Sequence, residues 1–431
     1  MKNTNFILKS TCKLGALLLC IVLAFPIQCM ASSPGNEPFW PGYEKLYLYP
    51  NGIGGLTRVW VDDLNPQNGI IKVEELDSQY VTQVRHEILR ELDLFGGFFS
   101  GAEYNYMIFG QRNNKEDDNV EVIRVVKYSK NWERLGQRSI YGANTKVPFQ
   151  SGSCRCAEAG GILYIRTCHE MYKSKDGLNH QANMMLAIRE NDMILTDWFC
   201  GVEFENRGYV SHSFDQYVIT DKEGNIVTLD LGDGFPRAIV LHRYNGRAGR
   251  EKFGAASRAI ILNIPGSIGD NYTGVTIGGF AETDTGYVTA YSYKNEGTRS
   301  VYLAYTSKSD LSTRTVPLSA PGVDGSAPAL APLGTSGGYI IWQDPNMESE
   351  DRVLYYAAYS ADGSIGEFHT ANSFISSLTM PINYNGKIVW NVLTKNWLKA
   401  DGEASIITDR YYQLDDMGLS NIKSEDILYQ P

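Results

Sequence analysis

The chain has 431 residues, of which 43% are hydrophobic and 12% aromatic, so it can bury a large core and is not a disordered stalk. Its formal net charge is −10. That sign disfavours nucleic acid or an anionic membrane as a partner, because binding to phosphates draws on a net positive field.

The first 31 residues have the pattern of a cleavable secretory signal peptide. Three lysines precede the apolar run Leu14–Ile27, which is shorter than the roughly 20 residues that a membrane span needs. Cys29 and Ala31 offer small side chains at the two positions that a signal peptidase inspects. We therefore predict a signal peptide over residues 1–31, with cleavage after Ala31.

Two alternatives to free secretion are open, a lipoprotein anchored through Cys20 or Cys29 and a retained N-terminal anchor. Neither cysteine follows the small residue that lipidation usually requires. No later apolar run is long enough to span a bilayer. We expect a secreted, extracellular monomer without a membrane span, periplasmic if the source has an outer membrane.

Cleavage after Ala31 would leave a mature chain with 36 basic and 49 acidic side chains, a formal charge of −13. Four cysteines would remain, and an even number in an exported chain favours at least one disulfide. Positions two apart on a strand are about 6.6 Å apart, which is poor geometry for a disulfide. A disulfide between Cys168 and either Cys154 or Cys156, across a turn at Gly160-Gly161, has better geometry, and the pairing of Cys200 is open. Binding of zinc by the four cysteines is the weaker alternative. The candidates are Cys154, Cys156, Cys168 and Cys200.

A glycine followed at once by an apolar or aromatic run recurs along the mature chain. A second strand-like run follows each copy after a polar loop, as in Val120–Val126 and Val353–Tyr359. The copies begin at Gly55, Gly161, Gly208, Gly286, Gly338 and Gly386, with a looser copy at Glu103.

Most of these anchors lie about 50 residues apart. A period of that length, carried by strand pairs without intervening helices, is typical of propeller blades. Seven anchors therefore predict an all-β protein, a single β-propeller domain over residues 32–431 with seven blades of antiparallel sheet. The alternative is one or two β-sandwich domains, which also place strands and turns at short spacing.

Two stretches interrupt this rhythm. Residues 78–92 place five apolar side chains at helical spacing, which fits either a short helix or an outer strand. The gap of 78 residues between Gly208 and Gly286 indicates an insertion near residues 245–273.

At the level of the superfamily, the chain resembles secreted bacterial β-propeller proteins of unassigned function. The segment Ser326–Ala331 leading to Gly338–Trp342 looks like an inner strand and its hairpin partner in such propellers. The segments Thr167–Tyr172 and His180–Met184 are similar to a group of these proteins. The turn Ser174–Gly177 resembles the Asp-box of sialidase-like propellers, but no aromatic residue closes it. The resemblance implies no catalytic residue.

Polar residues that would be awkward in a plain blade concentrate within residues 166–237, together with three of the six histidines. Strand ends and loops of adjacent blades converge on one face of a propeller, so residues some 40 positions apart can share a site. The candidate ligand-binding residues are His169, Glu170, His180, Gln181, His212, Asp215 and Arg237.

Three roles are open for this cluster. His169, His180 and His212 are candidate ligands of a divalent metal. A histidine could act as a base without metal, while Arg237 holds an anionic substrate group. Polar side chains beside turns also serve structural roles by bonding to the backbone, and this third reading is favoured.

The sequence contains none of the common specific catalytic motifs, so fold and composition leave two functions open. The main hypothesis is a secreted propeller that presents one face to a glycan, peptide or protein partner. The alternative is an extracellular polysaccharide hydrolase or lyase with its site on the face formed by residues 166–237.

Overall fold

The computed structural model describes most of the chain from Leu46 onward, and the predicted signal peptide lies outside the described residues. The described residues are 46–52, 54–61, 69–295, 297–319, 325–343, 353–373, 375, 380–397 and 405–429.

Seven sheets, each built from consecutive antiparallel strands, confirm the predicted seven-bladed propeller. Blade 1 is β1 Leu46–Pro50, β2 Leu56–Val61, β3 Ile70–Leu76 and β4 Thr82–Leu89, and blade 2 is β5 Leu94–Ser100, β6 Asn105–Gly110, β7 Glu121–Tyr128 and β8 Arg134–Tyr141. Blade 3 is β9 Thr145–Pro148, β10 Arg155–Ala159, β11 Ile162–Lys173, β12 Asn179–Arg189 and β13 Ile194–Phe199, followed by the 3₁₀ helix Val202–Arg207. Blade 4 is β14 Ser213–Thr220, β15 Ile226–Asp233, β16 Arg237–Tyr244 and β17 Ser257–Asn263, and blade 5 is β18 Val275–Glu282, β19 Gly286–Asn295, β20 Thr298–Ser307 and β21 Thr313–Pro317. Blade 6 is β22 Ser326–Pro332, β23 Gly337–Gln343, β24 Val353–Ser360 and β25 Ile365–Asn372, and blade 7 is β26 Ile382–Tyr384, β27 Lys387–Trp397, β28 Ser405–Asp415 and β29 Gly418–Tyr429.

The innermost strands lie around the axis of the ring. β10 contacts β5 and β14, β18 contacts β14 and β22, and β26 contacts β22 and β1, so neighbouring blades meet through these strands. They all run in the same direction along the axis. We call the end where they begin the entry face, and the end where they finish the far face.

The hydrophobic core is divided among the interfaces between blades. Tyr106 and Ile108 of blade 2 pack against Leu163 and Ile165 of blade 3, and each of the other six interfaces has its own buried apolar cluster in the described residues. A four-stranded sheet has two faces to bury, and stacking the blades in a ring covers both.

One anchor of the predicted repeat was wrong. The run after Gly208 is not a strand, and it makes only a single bridge, from Ser211 to Ala182, before the inner strand β14. The second strand of blade 4 instead follows Gly224, which has a φ of 80°. The intervals from Gly161 to Gly224 and on to Gly286 are therefore 63 and 62 residues, which accounts for the irregular spacing seen in the sequence.

The two stretches that interrupt the repeat consist of strands and loops in the structure. Residues 82–89 form the outer strand β4 and not a helix. Residues 245–273 contain the turn between β16 and β17, the outer strand β17 itself, and much of the connection to β18. The inner strand and hairpin partner inferred from Ser326–Ala331 and Gly338–Trp342 are β22 and β23.

Closure of the ring depends on side chains, because no described strand is shared between the first and last blades. The buried Arg58 guanidinium in β2 lies 2.6 Å from Glu74 and 2.7 Å from Asp409 in β28, and it also donates to Asn391 in β27. Burial opposes the charged form of Arg58, but Tyr411, Asp409 and Glu74 together raise its pKa.

Candidate functional site

The candidate residues gather at the entry face of blades 3 and 4. They lie at the end of β11, the start of β12, just before and within the start of β14, and at the first residue of β16. The structure thus brings together segments that the sequence separates by up to about 70 positions, because strand ends of adjacent blades meet there. The seven candidate residues do not line a single pocket, and they fall into three groups.

His180 and His212 form the exposed part of this cluster. Their ring centroids lie 5.8 Å apart and their planes are inclined by 32°. Each imidazole also has a carboxylate partner, with His180 Nε2 2.7 Å from Asp176 Oδ2 and His212 Nδ1 3.0 Å from Asp233 Oδ1. Because the side chains of His180 and His212 are 32% and 24% exposed, this pair of histidine–carboxylate dyads can meet a ligand.

Asp233 is the least expected member of the pair of dyads. It is fully buried, and apart from the 3.0 Å contact of its Oδ1 with His212 Nδ1, its carboxylate oxygens have no partner in the described residues. A buried carboxylate is costly without a compensating partner, and the imidazole of His212 is the group placed to provide one. His212 itself has a φ of 52°, a conformation that few residues other than glycine adopt.

His169 lies apart from the other two histidines. It is fully buried, its Nδ1 lies 2.7 Å from the hydroxyl of Thr145, and its Nε2 has no hydrogen-bond partner in the described part of the chain. Burial lowers the pKa of His169 to about 3. It is a neutral core residue, out of reach of a ligand at the surface.

The remaining candidates are held by internal contacts. Glu170 pairs with Lys146 at 2.8 Å. Gln181 donates to the carbonyl oxygens of Gln150 and Ser213. These contacts stabilise the extended end of β11 and its junction with blade 4.

Asp215 lies in the interface between blades 3 and 4. It accepts hydrogen bonds from Arg155 at 2.6 Å and from Ser153 at 2.9 Å. A second ion pair in this interface is wholly buried, with Arg166 and Asp230 at 2.6 Å. Breaking a buried pair leaves an uncompensated charge, so these groups join the two blades.

Arg237 holds a loop and not a substrate group. Its guanidinium donates to the carbonyl oxygens of Asp233, Pro265, Asp270 and Tyr272. Four acceptors occupy most of the five donors of a guanidinium. Arg237 therefore anchors the segment between β17 and β18 over the entry face.

The metal and disulfide candidates lie in the same part of the chain. In the described residues, no group of three or more His, Cys, Asp or Glu side chains is arranged to hold a metal ion. The structure does not show the predicted disulfide among the four cysteines of the described chain. Burial raises the pKa of Cys168, whose thiol contacts the carbonyl oxygen of Gln150 at 3.2 Å.

A second candidate site lies on the far face, between blades 1 and 2. It is a cleft of about 820 Å³, which we call the far-face cleft. Three partly exposed rings line it, those of Tyr49, His86 and Trp132. Its polar lining includes Glu75, Asn51, Asn105 and Lys130.

The polar groups of the far-face cleft are positioned by one another. Glu75 accepts hydrogen bonds from Trp132 Nε1 at 3.0 Å and from the hydroxyl of Thr57 at 2.7 Å. Trp132 stacks on Phe98, with centroids 5.7 Å apart. No motif in the sequence marks this site, because its residues come from strands and turns of two blades that only the folded ring brings together.

Helices of the described residues are too short and too polar to cross a membrane. No protein-family model and no curated protein matches the chain.

Several solved structures are similar to the chain in fold. The endo-arabinase from Bacteroides thetaiotaomicron VPI-5482 is 13% identical with a TM-score of 0.33, over 66% of this chain and 95% of the arabinase. The polysaccharide lyase Uly1 is 9% identical with a TM-score of 0.45, over 78% and 89%. The β-propeller domain of the Trilobed protease from Pyrococcus furiosus, described as having an open velcro topology, is 8% identical with a TM-score of 0.40, over 77% and 95%. At such identities the likeness concerns the fold alone.

Proposed function

We propose that this protein is a secreted β-propeller that binds a glycan in the far-face cleft. The observation that carries the proposal is the combination of three partly exposed aromatic rings with hydrogen-bonding side chains around about 820 Å³ of space. Small-ligand sites typically occupy roughly 300–1,000 Å³ and combine aromatic walls with a few placed polar groups. Signal-peptide cleavage and secretion belong to this proposal.

A sugar ring suits such a lining because it has an apolar face of C–H groups and an edge of hydroxyls. The rings of Tyr49 and His86 offer surfaces for the apolar face. The carboxylate of Glu75 and the amide of Asn51 offer acceptors and donors for the hydroxyls. Peptide or protein partners are the other occupants that a binding propeller could take.

The test is a glycan-array screen of the purified protein, followed by calorimetry on the best ligand. Val84 lines the cleft on the outer strand β4 and is 46% exposed. Val84→Trp should fill the cleft and raise the dissociation constant about tenfold, which corresponds to a loss of ~1.4 kcal/mol of binding free energy. Leu135→Trp is the matched control, since Leu135 is 48% exposed on the outer strand β8.

The control should keep its affinity within about twofold, which is far below the tenfold effect. Equal binding by Val84→Trp and the unmodified chain would place the ligand elsewhere on the molecule. A chain that binds no glycan at all would overturn the proposal.

A second candidate function, a polysaccharide hydrolase or lyase, is favoured by the paired dyads of His180 and His212. A carboxylate behind an imidazole fixes its tautomer and orientation, which is how a general base is prepared. The fully buried Asp233 would play that part for His212. His180, which pairs with the more exposed Asp176, would serve as the complementary acid.

This second function is tested by incubating the protein with a panel of polysaccharides and measuring new reducing ends and unsaturated products. His212→Asn should abolish any product, because asparagine tolerates the left-handed backbone at this position but cannot act as a base near neutral pH. Its melting temperature should stay close to that of the unmodified protein. A large loss of thermal stability would identify His212 as a structural residue.

A further inference from the structure

Two smaller clefts lie on the far face beside the far-face cleft. One has a volume of about 430 Å³ and lies between blades 7 and 1, and we call it the closure cleft. The other has about 360 Å³ and lies between blades 6 and 7, and we call it the acidic cleft. Both are lined by turns at this end of the ring and by the strand segments next to them. Blades 6, 7, 1 and 2 therefore carry three consecutive clefts.

The closure cleft and the far-face cleft are joined through blade 1. Asn51, in the turn between β1 and β2, lines the far-face cleft. The hydroxyl of Tyr384, which lines the closure cleft, donates to the carbonyl of Gly54 in the same turn at 2.6 Å. The end of β3 makes a second junction, since Glu75 lines the far-face cleft and Ser78 lines the closure cleft.

One carboxylate joins the closure cleft to the acidic cleft. Asp415 lines the acidic cleft, and its Oδ2 lies 3.2 Å from Lys387 Nζ and accepts a hydrogen bond from the Gln413 amide at 2.9 Å. Lys387 and Gln413 both line the closure cleft. The backbone amide of Met417 donates to Asp415 Oδ1 at 2.9 Å. This bond and the one from Lys387 lower the pKa of Asp415, so the carboxylate is charged near neutral pH.

Each of the two smaller clefts also repeats the chemistry of the far-face cleft. In the closure cleft, the partly exposed ring of Tyr384 is accompanied by the side chains of Gln79 and Asn385. In the acidic cleft, the exposed imidazole of His369 stacks on the ring of Tyr356, with centroids 5.2 Å apart and planes inclined by 22°. Rings offer a surface to the apolar face of a sugar, and the polar groups serve its hydroxyls. A row of sites with one chemistry suits a ligand that repeats one unit.

The charges of the lining indicate which kind of glycan fits. Among the described residues that line the three clefts, carboxylates outnumber ammonium groups, and the protein as a whole has a net charge of −10. A chain of uronic or sulfated sugars would add negative charge against this lining, and like charges brought together oppose binding. The lining therefore favours an uncharged glycan. The groups are the carboxylates of Glu75, Glu367, Asp415 and Asp416 and the ammonium groups of Lys130 and Lys387.

We propose that the three clefts are consecutive subsites for one uncharged, linear polysaccharide chain, which lies along the far face across blades 6, 7, 1 and 2. This inference rests on the proposed glycan site, to which it adds the length and the charge of the ligand. A chain that occupies several subsites loses its translational freedom only once. Its affinity should therefore exceed that of a short oligosaccharide held in the far-face cleft alone.

The first experiment measures dissociation constants by calorimetry for neutral oligosaccharides of glucose, mannose and galactose, each series running from the disaccharide to the decasaccharide. In a series that binds, the dissociation constant should fall about a hundredfold from the shortest oligosaccharide with measurable binding to the decasaccharide, as expected when separate sites are occupied by one chain. A constant that does not change with length would overturn the extended site.

The second experiment fills the acidic cleft. Ala358 is exposed there on β24, and Ala358→Trp should raise the dissociation constant of the decasaccharide about tenfold while leaving that of the shortest oligosaccharide unchanged. Thr370→Trp is the matched control and should bind both normally. Thr370 is exposed next to His369 on β25 and, by the alternation of a strand, faces away from the cleft. If Ala358→Trp does not fold, Gln79→Trp in the closure cleft takes its place.

Equal binding of the decasaccharide by the cleft-filling variant and the unmodified protein would overturn the proposal. The charge of the ligand is tested with the same oligosaccharides after oxidation of their primary hydroxyls to carboxylates. The oxidised decasaccharide should bind at least about tenfold more weakly at low ionic strength, where charge repulsion is least screened. Equal or tighter binding of the oxidised chain would overturn the uncharged class.

Val84→Trp separates failure of this inference from failure of the proposed function. This variant fills the far-face cleft and should weaken the binding of short and long oligosaccharides alike. If Val84→Trp weakens the short ones while chain length has no effect, the proposed function stands and the extended site is wrong. If none of these oligosaccharides binds at any length, the extended site is wrong, and the glycan array decides on the proposed function by itself.

Discussion

His169 illustrates how a residue chosen for its chemistry can serve the core instead. From its position on β11 the imidazole lies beside the Thr145 hydroxyl of β9, in the same blade, and the whole side chain is buried. An imidazole in such a place is held neutral, since there is no solvent to stabilise its charge. The same holds for His242, whose pKa burial also lowers to about 3, with help from Arg166 and Arg258.

This environment makes the stability of the protein depend on pH. The pKa of His169 is depressed in the folded state to about 3, whereas the unfolded chain takes up a proton near pH 6.5. The contribution of His169 to stability is therefore fully present above about pH 6.5. It is lost as the pH falls toward the folded pKa, at about 1.4 kcal/mol per pH unit for each such histidine.

His169→Leu should remove one of these contributions, giving a shallower decline of unfolding free energy between about pH 6.5 and 4.5. Urea unfolding at several pH values measures the slope. His369→Gln is the control, because His369 is exposed on β25. An unchanged slope in His169→Leu would show that this imidazole can take up a proton in the folded state.

At the scale of elements, paired glycines let inner strands approach one another. Gly96-Gly97 in β5 and Gly278-Gly279 in β18 occupy matching places, each beside a register shift of the ladder. A Cβ atom at Gly278 would lie 1.8 Å from the carbonyl oxygen of Pro328 in the neighbouring blade. The first strands converge on the axis, and these positions have no space for a side chain.

Gly278→Ala should therefore lower stability by about 1–3 kcal/mol, as overpacking of a tight contact does. The measurement is thermal or denaturant unfolding. Gly366→Ala on the outer strand β25 is the matched control, since its nearest neighbour would be an ordinary 3.6 Å away. If the two variants unfold alike, the approach of blades 5 and 6 is looser than the structure indicates.

The elements also show what the sequence can and cannot predict. Glycines such as Gly55 and Gly286 stand directly at the start of second strands, so the seven-bladed fold could be predicted from their period. Gly208 misled the prediction because Tyr209 and Val210 are apolar and buried like a strand, while their partners lie in blade 3. The local pattern of apolar residues indicates which positions are buried, but it does not indicate which strand a segment pairs with.

The sites were predictable to different degrees. His180 and His212 could be expected to meet, because the entry-face loops of adjacent blades converge. The part played by Asp233 could not be foreseen, since its burial depends on the loop that Arg237 holds. The far-face cleft combines His86 of an outer strand with Trp132 of a turn in another blade, a combination that only the folded ring creates.

For the whole molecule, the junction of blades 1 and 7 is the place where the ring closes. Besides the Arg58 network, the hydroxyl of Tyr384 donates to the carbonyl of Gly54 at 2.6 Å. Lys423 donates to the carbonyl of Tyr80, and the Tyr80 and Tyr411 rings lie 4.9 Å apart. Some propellers close the ring with a blade that contains strands from both ends of the chain. In the described residues, contacts between side chains close the ring instead.

Arg58→Met should destabilise the protein by about 3–5 kcal/mol, because it leaves the buried carboxylate of Asp409 without its cation and that of Glu74 with only the exposed Arg85. Denaturant unfolding measures the loss. Arg314→Met, at a contact between blades 5 and 6 where Arg314 is 49% exposed, should change stability by less than about 1 kcal/mol. Equal effects of the two substitutions would show that the closure does not depend on the buried network.

The contiguous blades have a consequence for how the chain folds during its synthesis. Each described sheet is complete as soon as its own stretch of chain has been made, since no strand has to arrive from a distant part of the sequence. The order of assembly can follow the order of translation, blade by blade. Closure between blades 1 and 7 must wait for the end, as in the meeting of Arg58 with Asp409, which links residues 351 positions apart. A nascent propeller of this kind exposes the open flank of its first blade until that moment.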